Sequence, residues 1–132
     1  MANSASLDTR LKFVTKICLS LPETTSEYKG QHAGFLVRKK HFAYYLDNHH
    51  GDGIVGISCK VLPGDNVRLI DADPKKFYLP AYLGPRGWVG LRLDHGEVDW
   101  GEVREILTHS YVQIAPKRLA TLVGEKAEAA GQ

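Results

Sequence analysis

"GPRGWVGLRLD", residues 84–94, is the stretch whose reading decides the fold. It opens on turn formers and then alternates, with Val89, Leu91 and Leu93 on one side and Trp88, Gly90 and Arg92 on the other. Period two over this length marks a half-buried strand, 87–93, entered through the Gly84–Gly87 turn. A strand of this kind needs neighbours, and they lie upstream. From Tyr28 to Val61 the runs "GFLVR", "HFAYYLD" and "GIVGISCKV" are short, β-branched and aromatic, separated by Lys39–Lys40 and by the loop "NHHGDG". They predict three strands of an antiparallel meander.

Helical spacing brackets this sheet. Leu7, Leu11, Val14, Cys18 and Leu21 form one apolar face over 7–21, with Ser6 as a cap and Pro22 as the stop. Pro63 and Pro74 suit the starts of short helices or turns over 63–72 and 74–79, Asp73 capping the second. In "VDWGEVREIL", Asp99 caps and Glu102 stands three residues on, so a helix is expected over 100–108. "SYVQ" at 110–113 imitates a second capping box, but Pro116 would fall inside its helix. A new helix is therefore expected with Pro116 as its first residue, ended by Gly124. These elements predict one α+β domain over 7–123, an antiparallel sheet with helices packed on one face. Residues 1–6 and 124–132 are expected to be flexible ends.

Composition sets broad limits. The 132 residues carry 17 Lys and Arg against 15 Asp and Glu, a net charge of +2. That is short of a dedicated non-specific nucleic-acid coat, although a local patch remains compatible with it. The excess lies in the first half: residues 1–60 hold 8 basic and 5 acidic side chains, residues 61–132 hold 9 and 10. No apolar run suits a membrane span and no secretory leader is visible, so a cytoplasmic monomer is expected. Cys18 and Cys59 each sit on an apolar face without a CxxC spacing, which predicts two buried reduced thiols.

The residues that could carry chemistry are few. Asp47, His49, His50 and Asp52 crowd into one loop, but no helix places two ligands together, so the loop reads as a solvated hairpin turn without metal. The nucleophile elbow and both glycine-rich phosphate loops are absent, and Glu97, Asp99, Glu102 and Glu105 are explained by a helix start. No enzyme activity and no cofactor are expected.

The second face of the sheet remains. If Phe35 and Val37, Val55, Ile57, Cys59 and Val61, and Val89, Leu91 and Leu93 point into the core, then Arg38, Lys60, Arg92 and Trp88 point away. Tyr45 joins them if Phe42, Tyr44 and Leu46 face inward. Lys39 and Lys40 at a hairpin tip and Arg86 in the turn complete the expected set. Long cations with interleaved rings suit a phosphate backbone with base stacking. The same arrangement also suits an ordinary solvated face.

"LPETTSEYKG", "DADPKKFYLPAYLGPRGWVGLRLD", "VDWGEVREILTHSY" and "APKRLA" together resemble the MmcQ/YjbR family of small bacterial proteins, in order and spacing, over about residues 7–120. The resemblance implies an α+β fold with a curved antiparallel sheet and helices packed on it, related in shape to secretion-chaperone-like domains, and a double-wing DNA-binding protein with no catalytic residues to carry over. Arg86, Gly87, Trp88, Trp100, Ser110 and Tyr111 match the family pattern as structural positions. The "NHHGDGIVG" insert is longer than the family's usual connection. The expected function is non-catalytic nucleic-acid binding, with DNA as partner, through the open sheet face and hairpin tips. The alternative is a module that holds a small apolar ligand or a protein segment on the same concave sheet, in the manner of chaperone-like and resistance-type domains.

Overall fold

A computed structural model describes the backbone of residues 2–48, 51–81 and 83–130 and the side chains of 9–48, 51–81 and 83–123. The order is α1 (Ala2–Leu19), β1 (Thr24–Lys29), β2 (His32–Val37), β3 (Lys40–Asp47), β4 (Val55–Lys60), α2 (Asp65–Ala72), β5 (Phe77–Tyr78), a single 3₁₀ turn (Gly84–Arg86), β6 (Trp88–Arg92), α3 (Trp100–Ile114) and α4 (Lys117–Ala130). All six strands lie in one antiparallel sheet of order β1-β2-β3-β4-β6-β5. The α+β class is as expected. Among the described residues no helix is long and apolar enough to cross a membrane.

One side of the sheet is the core. Phe35, Val37, Ala43, Tyr45, Ile57, Cys59, Val89 and Leu91 meet Val14, Ile17 and Cys18 of α1, Val103, Leu107 and Tyr111 of α3, and Leu119 of α4 in a single buried cluster. Both cysteines are free and buried. Burial pushes the Cys59 thiol up to about 12 and raises Cys18 as well, with Cys59 adding to the latter.

Asp99 caps α3 by accepting from the Glu102 N–H at 3.1 Å. The Glu102 carboxylate does not reach back to the cap, because Lys76 takes it at 2.9 Å.

Several boundaries differ from expectation. α1 begins at Ala2, ahead of Ser6, and ends at Leu19, short of Leu21; the side chains of Ser6 and Leu7 lie outside the described residues. The stretch expected as a helix or turn over 74–79 is a turn followed by β5, because Phe77 and Tyr78 pair with Leu91 and Gly90. Helix α3 does not end near 108 but runs through "SYVQ" to Ile114. The Ser110 hydroxyl is not a cap: it bonds the sheet, so the helix keeps its own ladder until Pro116 halts it. Helix α4 starts at Lys117, one residue after Pro116, and continues past Gly124. Strand β1 was not expected at all, since "TTSEYK" lacks apolar alternation.

The 48–54 connection is closed by its own side chains. Asn48 accepts from the Gly53 N–H and Asp52 from the Ile54 N–H. His49 and His50 lie outside the described residues.

Candidate nucleic-acid interface

The outer face of the sheet is set by an irregularity in β3. Phe35 pairs with Ala43 and Leu36 with His41, so Phe42 is an extra residue, a β-bulge. A bulge reverses the phase of alternation on its far side. Phe42 therefore points inward, edge-on to the Tyr111 ring at 5.5 Å, and so do Ala43 and Tyr45. Tyr44 and Leu46 point outward, opposite Ser58 and Gly56.

This reverses the expected assignment of the two tyrosines. Tyr45 is 1% exposed and belongs to the core. Tyr44 is the outer ring. It stacks on His41 with centroids 4.9 Å apart and planes at 11°, and it leans on Trp88 at 5.8 Å. Burial raises the Tyr44 phenol, an effect partly offset by the nearby Arg86 guanidinium.

Glycines make room for these rings. A Cβ on Gly34 would lie 2.9 Å from the His41 ring, and one on Gly90 would overlap three ring atoms of Tyr78. The Tyr78 ring thus lies across Gly90, with its hydroxyl reaching towards Gly56. This explains why Gly90 shares a side with Trp88 and Arg92. Tyr78, like Tyr44 and His41, was missed in the sequence. Its signal, an aromatic residue ahead of a glycine-bearing strand, is too general to single it out.

The cations divide into two groups. Lys60 pairs with Trp88 across β4 and β6, and Arg86 is exposed in the turn that leads into β6. Among the described residues neither has a carboxylate within 4.0 Å. Lys39 and Lys40 are exposed at the β2–β3 hairpin, also without an ion pair among the described residues. Arg38 and Arg92, by contrast, are neutralised. Arg92 is held by Asp94 at 2.9 Å, and the same carboxylate accepts from the Val55 N–H. Arg38 is not on the sheet face: it occupies the hairpin turn and bonds Glu23 at 2.7 Å, with Arg118 on the other Glu23 oxygen at 3.0 Å. These two guanidiniums hold the Glu23 carboxyl below its ordinary range.

Trp88 is on the expected face but only 7% exposed. It supports Tyr44 and offers little ring surface of its own. Ser58, flanked across the strands by Tyr44 and Gly90, is fully buried. The centre of the face is thus sealed by rings, while its β1–β3 side forms a hollow lined by Glu27, Lys29, His32, Gly34, His41, Tyr44 and Leu46.

The hairpin tip is strained. Arg38 has φ 50° and Lys39 φ 68°, as a two-residue type I′ turn requires. Neither residue is the Asn or Gly that such a turn favours, so two cations sit where the backbone disfavours them.

Ser110 and Tyr111, matched by the family pattern, have structural roles. The Tyr111 hydroxyl donates to the Pro22 carbonyl at 2.7 Å. The Ser110 hydroxyl accepts from the Lys60 N–H at 2.9 Å and donates to the Phe42 carbonyl at 2.5 Å. Phe42 and Lys60 follow the Ala43–Cys59 pair, where the next rung of the β3–β4 ladder would form. The helix hydroxyl stands in that rung and satisfies both groups.

No curated protein matches the chain. A crystal structure of the Deinococcus radiodurans protein DR2400, a DUF419 domain, is similar at 23% identity over 83% of each chain, with a TM-score of 0.63. It shares the fold. The family profile described as YjbR matches residues 19–113, from the end of α1 through most of α3, and the chain belongs to the YjbR family.

Proposed function

We propose that the protein binds nucleic acid, DNA in the first place, on the outer face of its sheet, without catalysing a reaction. One observation carries this reading. The half-exposed Tyr44–His41 stack lies on the side of the sheet opposite the helices, with Lys60 and Arg86, which have no ion pair among the described residues, on that face and Lys39 and Lys40 at the adjoining hairpin tip. The cations act as phosphate contacts and Tyr44 as a stacking surface. Trp88 positions Tyr44. Arg38 and Arg92 hold the hairpin and the β6 end through their carboxylates, and Tyr45 serves the core.

The test is a titration of labelled duplex and single-stranded DNA at two salt concentrations. Replacing Lys39, Lys60 and Arg86 together by Ala is expected to weaken binding to all sequences alike. The salt dependence should flatten by about 0.9 log units per log unit of salt for each duplex phosphate that is no longer neutralised. Tyr44→Ala is expected to weaken single-strand binding by about 1–3 kcal/mol per stacked base and to spare the duplex. Absence of binding at low salt, or equal binding by the triple variant, would reject the interface. A salt-independent apolar ligand in the Tyr44 hollow would then be the better reading.

A further inference from the structure

The sheet is also open along β1, the edge strand that borders the hollow on its outer face. Strand β1 is an edge, paired only with β2, and its six residues run in unbroken register from Thr24↔Val37 to Lys29↔His32. Gly30 and Gln31 form the two-residue loop between these strands, so Lys29 and His32 are a hydrogen-bonded pair. Alternation gives Glu27 and Thr25 the same orientation. The N–H and C=O groups of Ser26 and Tyr28 therefore face away from β2, and no partner among the described residues takes them.

Edge strands are ordinarily protected by proline, bulges, brevity, inward charges or charged side chains along the edge, of which β1 has only the last, in Glu27 and Lys29. Strand β1 has no proline and no bulge, and Glu27 and Lys29 both lie on its outer side. On its helix side Tyr28 is 57% exposed. Beside Tyr28, under α1, is a hollow lined by Leu11, Lys12, Thr15, Lys16 and Tyr28. Lys12 and Lys16 are one helical turn apart, both exposed, and have no carboxylate within 4.0 Å among the described residues.

We infer that β1 is a strand-addition site for an extended acidic segment of a partner protein. The segment's backbone pairs with Ser26 and Tyr28, an apolar side chain enters the hollow beside Tyr28, and carboxylates on the same face meet Lys12 and Lys16. The spacings agree: residues two apart on a strand are about 6.8 Å apart, and two helix positions one turn apart rise about 6 Å. Backbone pairing supplies affinity and the hollow and lysines supply selection, the division of labour usual in strand addition. A second copy of this chain is the poorer occupant. Two-fold pairing of β1 would bring Lys12 and Lys16 of both copies together, with no acid on that face among the described side chains.

The probe is a short synthetic peptide, Thr-Glu-Thr-Val-Thr-Glu-Thr, which sets its Glu and Val side chains on one face of a strand, added to ¹⁵N-labelled full-length protein, with the same peptide carrying Lys in place of Glu as its charge-reversed control. The acidic peptide is expected to shift the amides of Ser26 and Tyr28 and slow their hydrogen exchange, and the basic peptide to do neither. Lys12→Glu with Lys16→Glu should weaken the acidic peptide about tenfold and reverse the preference. Ser26→Pro removes an outward N–H while leaving the β2 ladder, and should abolish binding with the fold retained. The inference is overturned by any of three results: no shift at millimolar peptide, equal binding of both peptides, or protection of the Ser26 amide in the free protein through a β1-mediated dimer.

Discussion

The ring of Tyr78 occupies the space that a side chain on Gly90 would need, with three of its ring atoms overlapping the position of a Cβ. Gly90→Ala must therefore displace the ring or the strand, and is expected to destabilise the protein by about 1–3 kcal/mol. The urea midpoint measures this. In a Tyr78→Ala background the same change should be nearly neutral, and an equal loss in both backgrounds would show that the ring is not the obstacle.

Ser110→Ala removes the hydroxyl that joins the Lys60 N–H to the Phe42 carbonyl. Both backbone groups are then left in a dry environment, at a loss of about 1–3 kcal/mol. Amide exchange at Lys60 should accelerate more than at Ile57. Unchanged exchange there would mean that the strands close the rung by themselves.

The cap of α3 is the simplest of the tests. Asp99 accepts from the Glu102 N–H, and Asp99→Ala is expected to lower stability by about 1 kcal/mol. Thermal unfolding of the single variant checks it, and Asp99→Asn should recover most of the loss.

Alkaline pH should weaken the fold through Tyr78. Burial, aided by Asp52 and Asp94, pushes its phenol up to about 12, whereas an unfolded tyrosine ionises near 10. The folded value is the higher one, so the unfolded chain loses its proton first. Stability from this group is complete below pH 10 and declines as pH rises through 12. Cys59, also pushed up to about 12, acts in the same direction from a lower starting point. Tyr78→Phe should flatten the fall in the urea midpoint between pH 10 and 12. A slope identical to wild type would place the titration elsewhere.

The strained turn gives a trade-off. Lys39 has φ 68°, and Lys39→Gly is expected to stabilise the protein by up to about 1 kcal/mol while weakening DNA binding. A variant that is more stable and binds DNA unchanged would remove the tip from the interface.

Much of the fold was legible in residues whose local signals agree with their surroundings. The Asp99 cap, the Val89–Leu91 alternation and the Leu11, Val14 and Cys18 face of α1 all lie where period and capping put them. What escaped was set by contacts between distant segments. "HFAYYLD" alternates well enough to suggest one phase throughout, and only the pairing of Leu36 with His41 and of Phe35 with Ala43 reveals the bulge that exchanges Tyr44 for Tyr45. "SYVQ" looks like a helix start because a serine that caps and a serine that bonds a neighbouring sheet have the same spelling. In β1 the polar run "TTSEYK" is a strand because β2 pairs with it, and its own residues give no sign of that. Of the expected interface, Lys60, Arg86, Trp88 and Arg92 lie on or beside the outer face. Arg38 and Arg92 could not be recognised as neutralised without knowing where Glu23 and Asp94 fall.

The rung held by Ser110 sets the order in which the molecule can be completed. Its two sheet partners lie 68 and 50 residues earlier in the chain. A ribosome therefore delivers β3 and β4 long before it delivers the hydroxyl that joins them. Until α3 emerges, those strands present an open carbonyl and an open amide to solvent, along with the apolar side that α3 later covers. Closure at the middle of the sheet is consequently among the last steps of assembly, and a chain stalled before residue 110 is the form most exposed to chaperones and proteases.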